Sequence, residues 1–135
     1  MENKQILLVE PVPYNYKKLK KDFKNNKNIQ ICTNAIFSEN KTKKFYYVNE
    51  SSIIKLGKHW ASGIGSFIKK HILDHKSKRF KIEDKDIQEI DVEFITFENL
   101  IKKYSVKSID KLQIDAEGAE YEILKSINFK NIYIK

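Results

Sequence analysis

The sequence predicts an α/β domain with a mostly parallel sheet, one β-hairpin and an irregular insertion. Three observations carry that expectation. Runs of apolar or alternating residues at Ile6–Val9, Ile29–Phe37 and Ile90–Ile95 have strand character. Between and after them, apolar residues recur at helical spacing with lysines and glutamates on the other positions. Residues 49–85 lose periodicity and hold three of the four glycines (Gly57, Gly63, Gly65) and all three histidines (His59, His71, His75). A length of 135 residues suits one domain and leaves no room for a second.

Each element has its own reason. Ile6-Leu7-Leu8-Val9 is continuously apolar and stops at Glu10-Pro11, the pattern of a strand covered on both faces. After Pro13, which a first helical turn tolerates, Tyr16, Leu19 and Phe23 mark an amphipathic helix ending near Asn25-Asn26. Ile29, Ile31 and Thr33 alternate with polar neighbours and run into Ala35-Ile36-Phe37, giving a second strand. Ser38–Thr42 is a polar turn cluster, and Lys44–Val48 is aromatic and β-branched enough to return from it as a hairpin. A short helix is expected around Phe67–Leu73 inside the insertion. Ile90–Ile95 alternates again, and Thr96 can cap a helix carrying Leu100, Ile101 and Tyr104. Leu112–Ile114 reads as a brief strand, Asp115–Gly118 as a turn, and Ala119, Ile123, Leu124 and Ile127 as the apolar face of a following helix. Asn131–Lys135 starts a last strand.

Composition excludes several classes. No apolar run approaches the ~20 residues of a membrane helix, and the first residues lack the pattern of a signal peptide, so the chain reads as soluble and cytoplasmic, with no membrane partner. A single cysteine, Cys32, rules out an intrachain disulfide and a cysteine-based zinc finger. The net charge of +8 raises nucleic acid as a partner. The basic residues are spread along the chain, however, and Arg79 is the only arginine among 26 of them, whereas base-edge readout favours the guanidinium. A nucleic-acid-binding module rests on net charge alone, and no specific nucleic acid is expected.

Ligands of parallel α/β sheets bind outside the carboxyl ends of the strands. Two acidic turns fall there: Glu10 after the first strand, and Asp115 with Glu117 after Leu112–Ile114. A carboxylate so placed can accept two hydrogen bonds from neighbouring ribose hydroxyls, or it can serve as a helix-start charge or a solvated turn.

The residues Leu8-Val9-Glu10-Pro11-Val12-Pro13-Tyr14, the Asn34-Ala35-Ile36 step, Trp60 with Gly65-Ser66-Phe67, and Gln113-Ile114-Asp115-Ala116-Glu117-Gly118-Ala119-Glu120 stand in an order that resembles the FkbM-type family of S-adenosylmethionine-dependent methyltransferases. The resemblance runs from about Ile6 to Ile134, and the Ile-Asp-x-Glu-Gly block is its most specific part. It implies a Rossmann-like methyltransferase fold, S-adenosylmethionine as cofactor, and O-methylation of a sugar or small metabolite through a small-molecule or glycan hydroxyl acceptor. By the same resemblance Glu10 binds the ribose hydroxyls, Asn34 and Ala35 lie near the adenine, and Asp115 and Glu117 face methyl donor and acceptor. Asp115 and Glu117 are the catalytic candidates, and Glu10, Asn34, Ala35 and Asp115 the cofactor-binding ones.

The family's Gly-x-Gly turn after its first strand has no counterpart here, since only Met-Glu-Asn-Lys-Gln precedes Ile6. Residues 1–135 are therefore expected to be a partial methyltransferase domain, without the first strand and the last ones, with 49–85 inserted in it, and to bind cofactor feebly. A non-catalytic remnant of such an enzyme is the alternative reading. Trp60 and Gly63–Phe67 suggest either a lid or an anchored surface loop. His71 and His75 stand four apart, one face of a helix, but without a third ligand in sequence reach they read as solvent-exposed, and no metal is assigned. His59 or His71 could instead act as a general base, and nothing in the sequence chooses between them.

Overall fold

The computed structural model describes residues 4–56, 59–77 and 80–135, with side chains described except at 55, 56, 59, 60, 76, 77 and 80. The roles expected of His59 and Trp60 fall on side chains outside the described ones.

In chain order the elements are β1 (Ile6–Val9), α1 (Pro13–Asp22), β2 (Ile29–Cys32), β3 (Ala35–Ile36), β4 (Lys41–Val48) and α2 (Glu50–Leu56). A 3₁₀ turn (His59–Gly63) leads to β5 (Gly65–Ser66), α3 (Lys69–Leu73), β6 (Lys76–Ser77) and β7 (Phe80–Lys81). A second 3₁₀ turn (Asp84–Asp86) precedes β8 (Ile87–Ile95), α4 (Phe97–Lys103), β9 (Ser108–Ile109), α5 (Glu120–Ser126) and β10 (Tyr133–Ile134). No helix among the described residues is long and apolar enough to cross a membrane.

The architecture is α/β, but its sheets are mixed, which corrects the expectation of a mostly parallel one. The largest has the order β3-β8-β4-β5, and only β3 and β8 run parallel in it. Its backbone is the antiparallel β4–β8 ladder, from Lys41 opposite Phe94 to Val48 opposite Ile87. The alternation in both strands explains the choice. Lys44 projects on the outer face, where its ammonium lies 3.4 Å from Glu89 and 3.2 Å from Asp91, while Phe45, Tyr47, Val92 and Phe94 point into the core. A face that is polar along its middle is what an antiparallel pair accommodates and a doubly covered parallel strand does not. Parallel pairing survives at the periphery, in β1–β2 and β9–β10.

The expected second strand is two strands. β2 pairs with β1, β3 with β8, and the chain changes sheets at Thr33-Asn34. The expected hairpin between this segment and β4 does not form, because β8 lies between them: Ala35 and Lys41 are both partners of Phe94. A small hairpin forms instead at β6 and β7. Leu112–Ile114 makes no ladder with any described residue. The neighbouring Ser108–Ile109 takes β10 as its partner, Lys135 N–H extends that pairing to Ile109 O (3.0 Å), and Leu112 packs against the core from irregular backbone.

Residues 49–85 are more ordered than an irregular insertion, with two helices and three short strands. Gly65–Ser66 adds an edge strand to the large sheet opposite Tyr46 and Tyr47, which counts against a free lid there. Gly65 is required sterically, since a Cβ would stand 2.8 Å from the Phe45 ring. The core has three parts. One lies under β4 and β8, one joins Cys32 and Ile95 to α4 and the C-terminal segment, and one packs Val48, Ile64, Ile72 and Ile82 beneath the inserted elements.

Candidate functional site

Glu10 directly follows β1 with its N–H bonded to Cys32 O (2.9 Å), so the parallel pairing with β2 fixes its position. Its side chain turns back onto the start of α1. Oε1 accepts the Val12 N–H at 2.9 Å, and among the described residues Oε2 receives only a long contact from Asn15 Nδ2 at 3.4 Å. Burial pushes the carboxyl above its ordinary range, and the Val12 and Asn15 hydrogen bonds offset only part of that. A carboxylate that is desolvated yet incompletely bonded is suited to receive further donors.

Beside it, Pro11, Pro13, Tyr16, Thr33, Asn34 and Glu93 line an open pocket of about 300 Å³ at the carboxyl ends of β1 and β2. Asn34 is buried and its amide is committed: Nδ2 donates to Glu93 O (3.1 Å) and Oε2 (3.0 Å), and Oδ1 accepts from Lys103 Nζ (2.8 Å). It builds the pocket wall at the point where the chain changes sheets. Ala35 lies in the core with Val12 and Phe94.

The second acidic turn is held differently from the sequence expectation. Asp115 follows no strand, is exposed, and makes no hydrogen bond or ion pair to a described residue. Glu120, which the sequence reading passed over, organises the turn: its carboxylate accepts the Ala116 and Gly118 N–H groups, each at 2.9 Å. Bonding first to its own backbone N–H, then to those of the turn, lowers the Glu120 carboxyl below its ordinary range. Glu117 takes φ +45 and Gly118 φ +99, both left-handed. Only glycine suits the second position, because a Cβ there would also stand 3.2 Å from the His71 ring.

Glu117 is thereby aimed at α3. Its Oε2 lies 3.1 Å from His75 Nε2 and 3.6 Å from His71 Nε2, and the two imidazoles meet edge to face with centroids 5.5 Å apart. Ser66 Oγ donates to Glu117 O at 3.2 Å and anchors the turn to β5. The i, i+4 histidine pair is visible in the sequence; its carboxylate partner, 42 positions away, has no local signal.

Both acidic turns touch the same short stretch. Asn15 Nδ2, in contact with Glu10, donates to Ser62 O at 2.6 Å, and four residues later Ser66 bonds Glu117. Four residues span at most ~14 Å, so the contact beside Glu10 and the contact that holds Glu117 sit on one short segment.

A family model described as "Methyltransferase FkbM domain" matches residues 2–135, essentially the whole chain. The chain belongs to the FkbM methyltransferase family. Comparison with the curated proteins and with the solved structures returns no match. Within this FkbM domain the Ile114-Asp115-Ala116-Glu117-Gly118 block is thus a turn clamped by Glu120 and tied to the inserted segment through Ser66 and the two histidines.

Proposed function

We propose that this FkbM-family methyltransferase uses S-adenosylmethionine to methylate a hydroxyl oxygen of a sugar or small metabolite, with no nucleic acid or membrane as partner. Glu10 carries the reading. A partly desolvated carboxylate at the carboxyl end of β1, with Oε2 short of donors among the described residues, fits two adjacent ribose hydroxyls, and an open pocket of about 300 Å³ starts at the next residue, Pro11. S-adenosylmethionine supplies an electrophilic methyl group on a sulfonium, which becomes a neutral thioether as the acceptor oxygen takes the carbon.

The chain's own groups then divide the work. Glu10 holds the ribose, while Asn34 shapes the adenine side through the wall it braces, with Ala35 packed in the core behind it. Asp115, exposed and without a partner among the described residues, is the group able to take the acceptor's proton. Glu117 stands next to the reacting centre, fixed by His75.

The test is calorimetric binding of S-adenosylmethionine to the full gene product together with transfer of a labelled methyl group to hydroxyl acceptors. Glu10→Ala is expected to weaken cofactor binding by about tenfold or more, the loss of at least one charge-assisted hydrogen bond. Asp115→Ala is expected to slow turnover. Unchanged affinity and unchanged turnover in these two variants would remove the assigned roles, and binding without transfer to any acceptor would mark a non-catalytic member.

A further inference from the structure

We propose that His71, His75 and Glu117 form a three-ligand site for a divalent transition-metal ion of the zinc class, with its remaining coordination position open to solvent. The nearest ligand atoms, two imidazole nitrogens and one carboxylate oxygen, all lie within 4.8 Å of one another. Around a tetrahedral zinc with bonds of ~2.0–2.1 Å, neighbouring ligand atoms stand ~3.3 Å apart. Glu117 Oε2 lies 3.1 Å from one Nε2 and 3.6 Å from the other, so two of the three edges already bracket that value.

A hydrogen bond alone explains only part of this arrangement. One imidazole N–H is enough to pair with Glu117, and His75 at 3.1 Å supplies it. The second ring, aimed by its Nε2 at the same oxygen, gains most if a cation sits between the three atoms. Two nitrogens and one carboxylate are also the donor set that borderline metals prefer over magnesium or calcium, which take oxygen.

The site is built, as well as assembled. His71 lies in α3 and His75 two residues beyond its end, and Ile72 between them is fully buried, which fixes that turn of backbone. Glu117 comes from the opposite side on a left-handed residue, with its carbonyl held by the buried Ser66 and the turn behind it clamped by Glu120. Gly118 leaves the space that the His71 ring occupies. The three side chains are 24–39% exposed, which leaves one side of the cluster accessible to a water or a hydroxyl ligand. Resting on the methyltransferase reading, that open position would take the acceptor hydroxyl and ease loss of its proton, as Lewis-acid coordination does for bound water.

The metal test needs no activity. The full chain, stripped with a chelator and exchanged into buffer, is titrated with Zn²⁺ by calorimetry and with Co²⁺ by visible absorption, without S-adenosylmethionine. One equivalent is expected, with Co²⁺ bands of a four- or five-coordinate ion. His75→Ala and Glu117→Gln should each weaken Zn²⁺ by at least about 100-fold, since loss of even an outer-shell partner costs 10–100-fold. Far-UV circular dichroism without metal reports whether each variant is folded, and His71→Ala serves as the further variant if one is not. Absence of Zn²⁺ binding by the wild type, or binding unchanged in folded variants, overturns the site. S-adenosylmethionine binding measured in chelator reports separately on the methyltransferase reading.

Discussion

At the scale of single residues, Glu10 joins the fold to the proposed chemistry. Its carboxyl is pushed up by burial, so the folded chain holds that proton more tightly than the unfolded chain does. The sign follows by linkage: the contribution to stability is fully present below the ordinary carboxylate range and is lost as pH rises through the raised value. Glu10→Gln should therefore gain stability relative to wild type as pH rises from below the ordinary carboxylate range through the raised value, read by urea unfolding, while weakening S-adenosylmethionine binding. A parallel response of the two proteins across that range would deny the buried carboxyl. Gly118→Ala makes a second case, placing a methyl group at φ +99 against the His71 ring. A loss of about 1–3 kcal/mol in urea unfolding is expected, with displaced His71 imidazole resonances by NMR. Glu10 and Asp115 could be singled out from sequence because an acidic residue after an apolar run is a local signal. The pairing of Glu117 with His71 and His75 could not, because a contact across 42 positions depends on how β5 and α3 are folded back.

At the scale of elements, what was legible follows from what is local. α1 after Pro13, β8 and α4 behind the Thr96 cap form as their periodicity and capping residues dictate, with Asn99 N–H donating to Thr96 Oγ1 at 3.2 Å. The break at Thr33-Asn34 was hidden, because period-two alternation continues across it and only the buried Asn34 amide, braced by Glu93 and Lys103, marks the change of sheet. α4 gives two opposed predictions. Thr96→Ala removes the cap and should cost about 1 kcal/mol. At the other end Ser105 has φ +53, with its N–H on Lys102 O (3.1 Å) and the Val106 N–H on Ile101 O (2.9 Å), the paired closing bonds of a Schellman turn. Ser105→Gly relieves the left-handed strain and should gain up to about 1 kcal/mol. Chemical denaturation of both variants checks the pair, and equal signs would mean that neither terminus limits α4.

At the scale of the whole molecule, strand partners were the least legible feature, because the sequence states which face of a strand is apolar but not which strand lies beside it. Glu10 and the Ile114-Asp115-Ala116-Glu117-Gly118 turn were expected at the end of one parallel sheet. They are instead linked through the inserted stretch 62–66, with β1 and β2 in a sheet of their own. That arrangement leaves β1 with β2 as its single partner among the described residues, and with Ile6 and Val9 exposed at 47% and 37%. An uncovered apolar edge strand is a template for a second chain, and natural edges are commonly blunted by lysine. The chain is therefore expected to self-associate as its concentration rises, and Val9→Lys to suppress that association. The β4–β8 ladder and its core do not depend on Val9, so stability in urea should change by less than about 0.5 kcal/mol. Light scattering across a concentration series decides the matter: association that persists unchanged in a folded Val9→Lys protein would place the contact elsewhere on the surface.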